Sequence, residues 1–495
     1  MVSPTIFRTY DIRGIVGPDL NEEVARAVGK AFGTVLRRWE EELPKGPVAV
    51  GRDVRRSSSS LAQALIEGMI ATGLDVIDLG IVPTPLVYFY LCEHKAAGGV
   101  VITGSHNPPE FNGFKICRGA LTLYGEEIQD IRKTVEEGAF YESGKRGRRR
   151  KRLILPSYLN FLKRQFQQLR SRGERKRPVR VVVDAGNGTA GLVAPRLLRS
   201  LGCEVVELYC EPDGQFPHHH PDPTVPANLT DLRSVVLEVQ ADLGVAYDGD
   251  ADRLGVVDEC GDIVWGDRLL IMYARRVLKE KPGATCIGDV KCSQLFFDDV
   301  RIRGGVPLMW RTGHSLIKAK MRETGALLAG EMSGHFFFAD RYYGFDDAVY
   351  ATCRLIELLD AARRENPEVR FSHLLKDLPP WVATPEIRVF CPEDHKPVIV
   401  RRLAERISNS LRNGTMPSEL RMEVEKVITL DGLRLAGKNG WGLIRASNTE
   451  PALILRFEAG NETLMNSYRS FMEGFLTDVL TEYRVESSAA PRSQQ

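Results

Sequence analysis

The stretch PVRVVVDAGNGTAGLVAPRLLRSLGCEVVELYC at 178–210, with ADLGVAYDGDADR at 241–253 behind it, decides the fold class. It opens on a short apolar run, turns through a polar loop and continues in a segment long enough for a helix. A second apolar strand follows, and then a third that ends on glycine and aspartates. The same order stands upstream, as PVAVGRDVRRSSSSLAQALIEGMIATGLDVIDLG at 47–80 and AAGGVVITGSHNPP at 96–109. It stands again downstream, as ATCIGDVKCSQLFFDDVRIRGGVPLMW at 284–310 and GALLAGEMSGH at 325–335. Short continuous apolar strands alternating with helices indicate parallel, doubly wound sheets buried on both faces. Three copies predict three similar α/β domains. Ligands collect beyond the carboxyl ends of such strands. That rule puts GSHNPP (104–109), DGDADR (248–253) and GEMSGH (330–335) where chemistry is expected.

Outward from the repeats, the pattern changes near Trp381, just after the Pro-Pro pair at 379–380. EIRVF, WGLIRAS and ALILRFEA read as strands, with helices over 396–412 and 462–484 and the polar turn SNTEP between two strands. This predicts a smaller C-terminal α+β domain. The expected division is 1–155, 156–262 and 263–380 for the three α/β domains, 381–485 for the fourth, and a disordered tail at 486–495.

Length and composition agree with several cores in one ordinary globular chain: 495 residues, 43% hydrophobic and 27% charged. No apolar run is long enough for a membrane span, and MVSPTIFRTYDIRG lacks the marks of a signal peptide. Nine scattered cysteines, none in CxxC spacing, read as reduced thiols of a cytoplasmic protein. A net charge of +2 supplies no global field for nucleic acid. One local exception is KRGRRRKR at 145–152, which reads as a solvated connector because no aromatic side chains interleave it for base stacking.

The loops carry the chemistry. Asp248, Asp250 and Asp252 alternate along a tight segment and can point three hard oxygen ligands at one centre, which suits Mg²⁺. The plainer readings are an acidic surface turn or a Ca²⁺ loop; the EF-hand pattern fails because Arg253, not glycine, holds the sixth position. Ser105 sits between Gly104 and His106, ahead of two prolines, in an exposed, rigid turn. No GxSxG elbow is present, which disfavours an α/β-hydrolase. Beside a triple-aspartate metal site, phosphoryl acceptor is the natural role for that serine, whose phosphate would add a fourth, anionic ligand. Glu331, Ser333 and His335 suit adjacent sugar hydroxyls, and Arg445, Ser447, Asn448 and Thr449 in RASNTEP suit a phosphate clamp. For both, a simple polar turn is the alternative.

These four loops, in this order and from TYDIRG (9–14) to the C-terminal domain, resemble the α-D-phosphohexomutase superfamily, most closely its bacterial phosphomannomutase/phosphoglucomutase branch. The resemblance implies four domains around a central cleft, Mg²⁺ held by Ser105 and the three aspartates, and a hexose 1,6-bisphosphate intermediate. It implies that Glu331 and Ser333 read sugar hydroxyls while Arg445, Ser447, Asn448 and Thr449 hold the phosphate that is not transferred. Tyr10, Arg13, Lys115, Arg253, Lys291 and His314 also fall where the family has active-site residues. Lys115 and His314 are candidates for proton transfer or charge neutralisation, with His106 competing. Met332 stands where phosphoglucosamine mutases usually carry glutamine, so mannose and glucose phosphates are the expected substrates. The reading leaves open a metal-dependent sugar phosphatase or phosphoaspartyl enzyme with Asp248 as nucleophile, a phosphoglucosamine mutase of the same superfamily, and a monomer or a dimer. It expects no nucleic-acid or membrane partner.

Overall fold

The computed structural model describes residues 2–39, 44–170, 177–448 and 451–489. They form two compact units. One comprises Met1–Ile287, Val300–Val306 and Gly313–Leu375; the other comprises Gly288–Asp299, Pro307–Thr312 and Lys376–Gln495.

The first sheet runs in the order Ile12–Ile15, Phe111–Arg118, Gly98–Ile102, Val48–Arg52, Val76–Ile81, Arg149–Lys151. Its middle strands are parallel, as the crossover helices require. Helix Glu22–Arg38 shows how local sequence sets an element here. Val24, Val28, Ala31, Phe32 and Val35 recur on one face and are buried. Asn21 caps the helix by accepting from Val24 N at 3.0 Å, with Glu22 and Glu23 in the first turn and Arg37 and Arg38 in the last. That face joins Leu65 and Met69 of helix Ser58–Ala71 over Val48, Val100 and Phe114 of the sheet.

The second sheet has the order Ile263–Val264, Leu254–Asp258, Leu243–Tyr247, Arg180–Asp184, Glu204–Leu208. The third runs Val306–Trp310, Thr285–Asp289, Leu328–Gly330, Phe336–Phe338. In each of the three, the strand that leads into a functional loop pairs antiparallel with the strand that leaves it. These pairs are Gly98–Ile102 with Phe111–Arg118, Leu243–Tyr247 with Leu254–Asp258, and Leu328–Gly330 with Phe336–Phe338. The sheets are therefore mixed, not all parallel as the repeat pattern predicts. The reason is length: each loop is too short for the dozen or so residues of a parallel crossover. The hairpin still leaves the loop at the carboxyl end of a central strand.

The fourth sheet is antiparallel, in the order Val382–Ala383, Ala452–Ala459, Gly440–Ala446, Leu433–Gly437, Val424–Ile428, with Ile387–Phe390 also against Ala452–Ala459. Helices Lys396–Arg412 and Glu462–Ala489 pack Leu403, Ile407, Tyr468 and Met472 onto Leu435, Leu455 and Phe457. The last helix continues past 486, into the expected tail; 490–495 lie outside the described residues.

Asp242, just before strand Leu243–Tyr247, ties the second repeat to helix Ala348–Glu365. It accepts from Arg363 Nη1 at 3.0 Å and Nη2 at 2.5 Å, and from the N–H of Arg180 at 2.9 Å. Burial acts to raise its pKa, but the Arg363 and Arg180 hydrogen bonds and the guanidinium charges hold it below the usual range. A carboxylate with a depressed pKa stabilises the fold above its unfolded pKa of about 4, and the contribution is lost as pH falls through the folded value. Arg177 Nη2 also lies 2.7 Å from Asp242 and stays in place, so Arg363→Met should cost about 1.5–3 kcal/mol at neutral pH. Calorimetric melts at pH 7 and in the acid range should show the gap from wild type narrowing on acidification; a constant gap would mean that packing, not charge, holds this joint.

Candidate active site

In the larger unit, the turn that carries Ser105 is built by a residue that motif reading passes over. Arg55, 2% exposed, is held by Asp53 at 3.1 Å and donates to the carbonyls of Ser105 at 2.9 Å, Phe111 at 3.0 Å, Asn107 and Pro108. A buried guanidinium with its donors filled by one loop leaves that loop a single shape. Ser105 sits in it at φ 50°, a left-handed conformation uncommon for a side-chain-bearing residue and typical of strained functional turns. Gly249 of the aspartate loop makes the approach possible, since a Cβ there would lie 2.5 Å from the Ser105 carbonyl oxygen.

The two loops meet atom to atom. Ser105 Oγ donates to Asp248 Oδ2 at 2.8 Å and lies 3.2 Å from His106 Nδ1. Asp248 Oδ1 accepts from the N–H groups of Asp252 at 3.0 Å and Arg253 at 3.1 Å. Lys115 Nζ, from strand Phe111–Arg118, donates to Asp250 Oδ2 at 2.7 Å and to Asp252 Oδ2. Thr84 Oγ1, at the start of helix Thr84–His94, donates to the same Asp250 oxygen at 2.5 Å. All three aspartates are fully buried, and an oxygen from each lies within 4.8 Å of the other two.

Burial, then Asp252 and Asp250, push the Asp248 pKa well up. Burial opposes charge on Asp250 and Lys115 as well, but their pairing outweighs it, lowering the carboxyl and raising the amine. The donor set fits a divalent cation: hard carboxylate oxygens, with Asp250 Oδ1 and Asp252 Oδ1 buried and lacking any hydrogen-bond partner.

A histidine cluster lies behind the aspartates. Arg253 Nε donates to His335 Nε2 at 2.9 Å, while His335 Nδ1 lies 3.1 Å from Asp346 Oδ2 and 3.6 Å from Asp252 Oδ1. Asp346, a second residue invisible to the motifs, is also 3.8 Å from His314 Nδ1 and takes Lys318 Nζ at 2.9 Å. The His314 ring stacks edge-on to Tyr10 at 5.0 Å and lies 5.7 Å from the His335 ring. Burial and the Lys318 charge hold the His314 pKa well below the usual range, so the ring is neutral at pH 7. His106 is lowered likewise, by burial and by Arg253 and Arg13. Burial, aided by Asp11, pushes the Tyr10 phenol up to about 12. Glu331 accepts from Gly313 N at 2.8 Å and from Ser333 Oγ at 3.0 Å, so carboxylate and hydroxyl face the same way. Arg13 donates to Asp11 at 2.6 Å and to Asn107 of the serine loop.

The smaller unit brings together the remaining cations. Arg445 Nε and Nη2 donate to Asp431 at 3.1 and 3.3 Å, and Thr312 N donates to the same carboxylate at 3.0 Å. Asn448 Nδ2 donates to the Thr312 carbonyl at 3.2 Å, and Lys396 Nζ to that of Ser447 at 2.7 Å. Lys291 Nζ donates to Glu386 at 2.7 Å, and buried Arg434 and Arg456 hold the carbonyls of Val290, Lys291 and Cys292. Burial works against the Glu386 charge, but Lys291 brings its pKa down to about 2. Thr449 lies outside the described residues.

Thus Tyr10, Arg13, Ser105, Lys115, the three aspartates, Arg253, His314, Glu331, Ser333 and His335 belong to one compact unit, and Lys291, Arg445, Ser447 and Asn448 to the other.

Four domain profiles described as phosphoglucomutase/phosphomannomutase match the chain. Its α/β/α domains I, II and III match residues 4–142, 156–261 and 265–380, and its C-terminal domain matches 386–473. The phosphomannomutase/phosphoglucomutase of Pseudomonas aeruginosa is 45% identical over 460 residues, covering 92% of each chain. The phosphoglucomutase of Neisseria gonorrhoeae is 41% identical over 477 residues, covering 95% of this chain and 97% of its own. The crystal structure of a phosphoglucomutase/phosphomannomutase family protein from Burkholderia thailandensis superposes with a TM-score of 0.83 at 41% identity, covering 97% of this chain and 98% of that one. With all four domains matched in order and relatives above 40% identity along nearly its whole length, the chain belongs to the phosphoglucomutase/phosphomannomutase family.

Proposed function

We propose that this protein interconverts the 1-phosphates and 6-phosphates of mannose and glucose through a phosphorylated Ser105 and a bound hexose 1,6-bisphosphate. The observation that carries the reading is the 2.8 Å hydrogen bond from Ser105 Oγ to Asp248 inside a buried three-aspartate cluster. The names of the relatives support the sugars. Asp248, Asp250, Asp252 and Ser105 would hold Mg²⁺, which, when bound, offsets charge on the phosphoryl oxygens.

In the donating step the bond between phosphorus and Ser105 Oγ breaks as one forms to the free sugar hydroxyl. The hydroxyl proton passes to a neutral imidazole, for which His314 is kept uncharged by burial. Lys115 stays cationic between Asp250 and Asp252 and serves as a fixed charge, not a proton carrier. Arg253 and Arg13 supply further positive charge, and Tyr10 is a neutral donor. Glu331, Ser333 and His335 would take ring hydroxyls. Lys291, Arg445, Ser447, Asn448 and Thr449 would hold the idle phosphate. The intermediate then turns over, and Ser105 accepts the other phosphoryl group. We assign this to a cytoplasmic enzyme, monomeric or dimeric, organised in the four domains laid out above.

Coupled assays on mannose, glucose and glucosamine 1-phosphates with trace bisphosphate test the reading. The two hexoses should react far better than the amino sugar; the highest kcat/KM on glucosamine 1-phosphate would overturn the branch. Mass spectrometry of the phosphoenzyme should find the phosphate on Ser105; a phosphoaspartate at Asp248 would favour the phosphatase reading.

The metal site makes a separate expectation. Asp248→Asn removes the carboxylate whose charge burial and its two acidic neighbours disfavour, so the metal-free protein should melt no lower than wild type. The upward shift in Tm that Mg²⁺ gives wild type should fall sharply. An unchanged Mg²⁺ response would place the cation elsewhere.

A further inference from the structure

Residues 145–152 fall between the profile matches that end at 142 and begin at 156, so the family match does not account for them. Seven of these eight residues are Lys or Arg, in a chain whose remainder is net acidic. The fold makes them a surface and not a loose connector. Arg149–Lys151 form the edge strand of the first sheet, parallel to Val76–Ile81 and paired on one side only. The strip is pinned by Arg148 N donating to Asp75 at 2.7 Å, Arg152 N to the Asp78 carbonyl at 3.0 Å, and Arg149 Nη2 to the buried Asp78 carboxylate at 2.6 Å. Among the described residues Arg149–Asp78 is the one ion pair made by a side chain of the strip, while Asp75 meets the strip at the Arg148 backbone N–H. Lys145, Arg146, Arg148, Arg150, Lys151 and Arg152 remain exposed cations. At the end of the strip Leu153 projects with 83% of its surface in water.

We propose that this edge is a docking surface for an anionic phospholipid bilayer. A fixed row of cations gains about as much per residue at an anionic lipid surface as polybasic segments do. Leu153 decides between polyanions. An apolar side chain gains nothing against a phosphodiester backbone, but it is stabilised on entering the acyl boundary of a bilayer. The strip itself holds no aromatic side chain that could stack on bases. Among the described residues no helix is long and apolar enough to cross a membrane, so the association is peripheral and reversible. Salt should release it, since the cations are exposed.

The test is co-sedimentation of the full-length protein with phosphatidylcholine vesicles, with and without one third phosphatidylglycerol, at about 0.1 M salt. Wild type should pellet only with the anionic vesicles and be released by high salt. The double variant Arg148→Ser/Arg150→Ser should lose about 25-fold in partitioning, at about fivefold per cation. Leu153→Ser should lose about tenfold, and Leu153→Trp should gain a blue-shifted emission on anionic vesicles only. Bulk turnover of hexose phosphates should be unchanged in all three, as none of these residues belongs to the catalytic or binding machinery. Failure of wild type to pellet with anionic vesicles would overturn the proposal. Leu153→Ser binding like wild type, with duplex DNA bound more tightly than vesicles, would equally overturn it and reassign the strip to nucleic acid.

Discussion

Ser105→Ala is expected to abolish turnover, lowering kcat by about 10⁴-fold or more, because in the proposed mechanism the serine would be a covalent participant and not one contact among several. The fold should survive. Ser105 Oγ bonds only to Asp248, whose other oxygen is already fixed by two backbone N–H groups, and to the adjacent His106 Nδ1; the loop is shaped by Arg55 through main-chain carbonyls. The variant should therefore melt close to wild type while incorporating no phosphate from labelled hexose 1,6-bisphosphate. Activity within tenfold of wild type would remove the phosphoserine from the mechanism. Arg55→Met is the useful companion. It leaves the hydroxyl in place but takes away the donors that set the turn, so labelling should slow without disappearing.

The second large effect is expected from Arg445→Ala. In the proposed mechanism the Arg445 clamp would hold whichever phosphate is idle, so removing its guanidinium should weaken 1-phosphate and 6-phosphate substrates alike. A lost charge-assisted hydrogen bond costs about 1.5–3 kcal/mol, or roughly 10- to 150-fold in kcat/KM. Asp431 now holds Arg445 by two nitrogens. Asp431→Asn should thus loosen the guanidinium without discharging it, and cost less. Because the same loop would retain the intermediate while it turns, Arg445→Ala should also release more free 1,6-bisphosphate per turnover, seen by quenched flow. Labelling of Ser105 should persist, since the serine and its aspartates belong to the other compact unit. A defect confined to one direction at limiting substrate would contradict a clamp shared by both ends of the sugar.

What could be read without coordinates was whatever local chemistry writes into a short span. Apolar strands alternating with helices announced three α/β repeats, and the rule that ligands gather at strand carboxyl ends pointed to GSHNPP, DGDADR and GEMSGH. Asp248, Asp250 and Asp252 are legible because three carboxylates sit within five residues. The helix at 396–412 is legible from its own periodicity and is found at Lys396–Arg412. The parallel-sheet expectation missed the antiparallel exits from the three loops, because periodicity records which faces are buried and not the direction of the neighbouring strand.

Other features belong to tertiary structure alone. Arg55, Thr84, Asp346 and Asp431 carry no motif; each matters through a partner distant in the chain, such as Thr84 on Asp250 or Asp431 on Arg445. Protonation is likewise settled only by folding. Lys115 and His314 looked like equal candidates for proton transfer, until burial beside two carboxylates fixed the charge on one and burial beside Lys318 removed it from the other. The basic run shows both sides of the division. Its charge is plain in the letters KRGRRRKR, whereas its place on a sheet edge depends on long-range pairing with Val76–Ile81. Sequence records which groups are present and their local spacing. Distance through space, and the low dielectric that decides which groups keep their charge, exist only once remote segments have packed together.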